Sequence, residues 1–104
     1  VEDARDSAIL LHNEYDRVEK SIYNIHRADV LCAIAECFII LEDFNKSEEL
    51  YCNAFFQSEK NPNSKPRVED LTIIISSLIK NKVEISSNLS YVMTEFIDGL
   101  GAPW

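Results

Sequence analysis

The sequence predicts an all-α fold, a compact bundle of about five helices. Two observations carry this: the scarcity of glycine and proline inside the chain, and the return of apolar residues at helical spacing. Only two glycines and three prolines occur in 104 residues. Gly99, Gly101 and Pro103 lie near the end, and Pro62 and Pro66 bracket one short stretch. A turn-rich sheet would need such punctuation far more often. With 46% hydrophobic and 27% charged residues, residues 1–104 suit a single helical domain with one core. The chain opens on Val1, as a fragment of a longer protein or a chain that had lost its initiator would.

In the first segment Ala4, Ala8, Leu11, Tyr15, Val18, Ile22 and Ile25 recur at alternating steps of four and three, one stripe of a helix over roughly 3 to 26. Glu2, Asp3 and Asp6 sit where the positive end of the helix dipole favours acids. The stripe has two uses. It can pack inside the bundle, or it can join two copies of the chain through Leu11, Tyr15, Val18 and Ile22 as a homodimer.

From Ala28 to Asp43 the residues between Asp29 and Glu42 are apolar except for Glu36, so this second helix must be covered on several sides. Asn45, with Glu48 three residues on, has capping-box chemistry for a third helix that buries Leu50, Tyr51, Ala54 and Phe55 and runs to about Lys60. Residues 61–66 read as a loop, since each proline removes a donor and restricts its predecessor. Thr72-Ile73-Ile74-Ile75 is β-branched and reads as strand or helix. A lone strand would find no partner, which favours a fourth helix near residues 67 to 81. Ser86 or Ser87 caps a fifth helix, striped by Leu89, Val92, Met93, Phe96 and Ile97 and stopped at Asp98-Gly99.

Eighteen acidic residues against ten basic give a net charge of −8, which argues against direct nucleic-acid binding and against a membrane surface. Cys32, Cys37 and Cys52 are odd in number and set among apolar residues, so reduced thiols and a cytoplasmic or nuclear location are expected. Cys32 and Glu36 with His12 or His26 would be the only metal-ligand grouping on offer. No Cys-x-x-Cys or His-x-x-x-His pair supports it, so neither metal nor cofactor is expected. His12 lies one turn from Asp16, a common pairing on solvated helix faces. With no phosphate-binding glycine loop and no nucleophile elbow, the chain does not read as an enzyme.

From Leu31 to Ala54 the chain resembles a tetratricopeptide repeat without a gap. Leu31, Ile34, Ala35 and Phe38 match the packing positions of that family's first helix, and Phe44, Tyr51 and Ala54 match those of the turn and second helix. Ser47 stands where the family usually has alanine. The segment is also similar to the hairpin of microtubule-interacting-and-trafficking domains, and both families bind proteins. In tetratricopeptide repeats the first helix lines a concave groove, which here would present Asp29, Cys32, Ala33, Glu36, Ile39 and Ile40. The resemblance therefore implies a protein-binding adaptor or oligomerisation domain. Its partner-binding residues would be Asp29, Glu36, Ile39 and Ile40, and its partner a protein or peptide with a basic amphipathic segment. A small acidic inhibitor or immunity-type protein that blocks a basic site is the alternative the charge suggests.

Overall fold

The stripes do form helices. The computed structural model describes residues 2–19, 24–61 and 64–100, with α1 over Glu2–Val18, α2 over Asn24–Ile40, α3 over Phe44–Glu59, α4 over Ser64–Lys80 and α5 over Ser87–Asp98. No strand occurs among the described residues. The β-branched run 72–75 lies inside α4, where Thr72 donates its hydroxyl to the Val68 carbonyl at 3.1 Å and Ile74 is fully buried. Burial against α2 and α3 outweighs the modest strand preference of these residues.

Three boundaries differ from the sequence reading. The first helix ends at Val18, and residues 24–26 belong to α2, because apolar spacing alone does not record a break between two helices. Helix α3 is capped by Asp43 and not Asn45: Asp43 Oδ1 accepts from the Lys46 amide at 3.2 Å. Helix α4 starts at Ser64, so Pro66 falls in its first turn, where a missing N–H leaves no hydrogen bond unmade.

The turn after α2 explains the cap. Asp43 N–H donates to the Phe38 carbonyl at 2.9 Å and Glu42 N–H to Ile39 at 2.9 Å, with Glu42 at φ 60. This is the double-bonded helix stop that glycine usually occupies. Helix α4 ends the same way, with Val83 N–H donating to Leu78 at 3.0 Å, Lys82 N–H to Ile79 at 3.1 Å and Lys82 at φ 54. The fifth helix follows expectation, since Ser86 Oγ accepts from the Leu89 amide at 3.1 Å.

Helices α2 and α3 form the central hairpin and share the largest contact. Leu31, Ile34, Phe38, Leu50, Tyr51 and Phe55 are all fully buried there. Helix α4 packs on both through Ile74 and Leu78. Helix α5 packs on α3, where the Phe55 and Phe96 rings lie 5.3 Å apart at 53°. Helix α1 touches α2 along a narrow seam containing Ala8 and Tyr15. Phe44, expected to pack the hairpin turn, is instead 62% exposed, because it stands at the very start of α3 beyond the end of α2.

A buried polar cluster joins the end of α3 to the start of α4. Asp70 Oδ2 accepts from Ser58 Oγ at 2.7 Å and from Asn61 Nδ2 at 3.0 Å, while Arg67 Nη1 donates to the Asn61 carbonyl at 2.7 Å. Burial pushes the Asp70 carboxyl up from the ordinary range, and these two donors pull it partly back.

Two outcomes follow from this architecture. Glu42→Gly should raise stability by about 0.5 kcal/mol, since left-handed strain of about 1–2 kcal/mol exceeds the roughly 0.5–1 kcal/mol of added chain entropy; urea unfolding checks it. A carboxyl whose folded pKa lies above its unfolded value binds its proton more tightly in the native state, so its contribution to stability grows as pH falls through the folded pKa and levels off near pH ~4. Unfolding curves of wild type and Asp70→Asn, compared between neutral pH and that limit, should therefore show the wild type gaining relative to the variant.

Candidate functional site

Helix α2 is apolar around most of its circumference, and α3, α4 and α1 cover it incompletely. Grooves remain on either side. The one against α4 encloses about 360 Å³ and carries Asp29, Ala33 and Glu36 from α2, with Ile73, Ser77 and Lys80 from α4. Asp29 and Glu36 are seven residues apart on one helix, a rise of about 10 Å.

Glu36 is held in place. Ser77 Oγ donates to Glu36 Oε2 at 2.6 Å and lies 2.7 Å from the Tyr51 hydroxyl. Because the serine proton goes to the carboxylate, the tyrosine proton goes to the serine, and the three groups form a directed chain from the core to the groove. Burial pushes the Tyr51 hydroxyl up to about 12, so it remains a donor. The groove thus presents a fixed carboxylate at Glu36, an exposed one at Asp29 and an exposed isoleucine opposite. It suits a cationic group beside an apolar one.

Cys32, also on this groove, has its thiol pushed up to about 12 by burial and then by the charges of Glu36 and Asp29. A thiol so protected is a poor nucleophile. All three cysteines are free, and the described residues contain no group of three His, Cys, Asp or Glu side chains able to hold a metal ion. His12 Nε2 lies 3.7 Å from Asp16 Oδ2 on α1. No described helix is long and apolar enough to cross a membrane.

The strip expected along α2 divides among three surfaces. Asp29 and Glu36 share the α4 groove. Ile39 is half-buried and lines a separate cleft of about 750 Å³ at the end of the bundle, beside Phe44 and the connection from α4 to α5. Ile40, 80% exposed, lines an apolar groove against α1 with Ala4, Ala8 and Leu11. The sequence reading missed Ser77 and Tyr51, which no local spacing links to Glu36, and it missed the end cleft, whose walls come from segments about forty residues apart.

The residues expected for self-association divide as well. Tyr15 is buried in the α1–α2 seam and Val18 is half-buried, whereas Leu11 is 46% exposed; Ile22 lies outside the described residues. Leu11→Asp should therefore keep the wild-type helical circular dichroism and lose less than about 1 kcal/mol, while Tyr15→Asp, which buries an unpaired charge, should lose several. Thermal melts check both, and light scattering of Leu11→Asp beside wild type reports whether Leu11 joins two copies. No family model, no curated protein and no solved structure matches the chain.

Proposed function

We propose that the chain is a non-catalytic protein-binding domain, an adaptor or oligomerisation module, whose α2–α4 groove takes a basic amphipathic segment of a partner. The observation that carries this reading is the placement of Asp29 and Glu36 on one groove with an exposed Ile73, and with Glu36 fixed by Ser77. One Glu36 oxygen accepts from Ser77, so the other can accept from an arginine or lysine without losing its anchor. Apolar contact with Ala33 and Ile73 supplies affinity, and the two carboxylates set the direction of the bound segment. The tetratricopeptide-like character of the α2–α3 hairpin belongs to this proposal.

A small acidic inhibitor is the second reading, favoured by the net charge of −8. It predicts binding spread over many exposed acids and very sensitive to salt, rather than concentrated in one groove.

The double variant Asp29→Asn with Glu36→Gln removes both charges and keeps an oxygen for Ser77. In a native-lysate pull-down with quantitative mass spectrometry, proteins retained by wild type should fall about tenfold on the variant, while its helical spectrum stays unchanged. An unchanged set of captured proteins would rule the groove out.

A further inference from the structure

The end cleft uses none of the residues that line the α2–α4 groove. It is walled by the start of α3 on one side and by residues 81–86 on the other, and about 750 Å³ lies within the range of pockets that hold a ligand. Its wall contains an anomaly: Ser47 is 2% exposed, and its hydroxyl has no hydrogen-bond partner among the described residues. A buried hydroxyl without a partner is costly, and such groups are rare in folded proteins.

The opposite wall has free groups of another kind. Residues 83–86 carry no regular secondary structure, and the segment is pinned at both ends, by Val83 N–H on the Leu78 carbonyl and by Ser90 N–H on the Ser86 carbonyl. Between those anchors the backbone N–H and C=O groups of Glu84 and Ile85 make no hydrogen bond within the described residues. A short run with free backbone groups is what an extended peptide can pair with. Over it stand two exposed apolar side chains, Phe44 at 62% and Ile85 at 47%, with Ile39 and Val83 half-buried beside them. Two carboxylates, Glu48 and Glu84, face one cation, Lys82. Glu48 accepts from the Ser86 hydroxyl, which fixes it against the start of α5.

We propose that this cleft is a second binding site, one that takes an extended peptide bearing an aliphatic residue beside a lysine or arginine. The peptide backbone pairs with Glu84 and Ile85. The aliphatic side chain sits between Phe44 and Ile85, and the cation lies against Glu48 and Glu84. The chemistry at each position follows from what the cleft leaves open: a free stretch of backbone, an uncovered apolar pair and a surplus negative charge. The proposal does not rest on the α2–α4 groove, and failure of either site leaves the other standing.

The test uses the full chain labelled with ¹⁵N and two blocked peptides, acetyl-Lys-Ile-Thr-Ile-Lys-amide and its counterpart with Glu in place of each Lys. Amide signals of Ser47, Glu84 and Ile85 should move on addition of the lysine peptide, with Kd at or below about 1 mM, and the glutamate peptide should bind at least about fivefold more weakly. Phe44→Ala and Ile85→Ala, both at exposed positions, should each weaken binding about fivefold without changing the helical spectrum. Ser47→Ala should raise Tm by a few degrees, because it removes an unpartnered buried hydroxyl, and should leave binding unchanged, because that hydroxyl is closed to a ligand. Three results overturn the proposal: no shift with about 5 mM lysine peptide, shifts confined to the α2–α4 groove, or equal binding of both peptides. It is also overturned if those amides move with protein concentration alone, since the occupant is then a second copy of the chain.

Discussion

The constraint on which the rest depends is that α2 is apolar on nearly every side. No single neighbour can cover such a helix, and leaving it uncovered would forfeit about 1.5–3 kcal/mol for each large side chain it now buries. Helix α3 covers the broadest face, α4 a second and α1 a third. The two grooves along α2 lie where these covers leave a gap, against α4 on one side and α1 on the other. Architecture and candidate surfaces therefore share one origin.

Within that bundle, the position of α4 is set by polar groups as much as by Ile74 and Leu78. Near its start Asp70 takes hydrogen bonds from Ser58 and Asn61, and further along Ser77 joins Tyr51 to Glu36. Sliding α4 by one residue along the hairpin would strand Asp70 and Ser77, and each stranded buried group costs about 1–3 kcal/mol. The same bonds that hold the register also place Glu36 Oε2 at the groove wall. A structural need and the proposed binding role meet in Ser77.

The two proposed sites differ in the segment each would receive. The α2–α4 groove lies between two helices and offers carboxylates spaced along one of them. The end cleft offers free backbone and an apolar pair instead. A chain with both proposed sites would hold two segments at once. Avidity then depends on their spacing more than on either contact alone.

Helix count, helix type and most of the core were determined by the sequence alone. The face through Leu50, Tyr51, Ala54 and Phe55 became buried, and Ser86 caps α5 as its chemistry requires. These are properties of one element at a time, and a period of 3.6 residues records them locally. Tertiary structure decided what lies between elements. It buried Tyr15 and left Leu11 half in water, though both belong to one stripe, because α1 meets α2 along a narrow seam. It gave Glu42 and Lys82 the left-handed turns that glycine usually takes, and it brought Ser77 to Glu36 across forty-one positions. The end cleft arises in the same way, since Ser47 and Ile85 become neighbours of one cavity only after α3, α4 and α5 have packed. No local pattern encodes such a meeting, because the contact energy that fixes it is shared among helices distant in the chain.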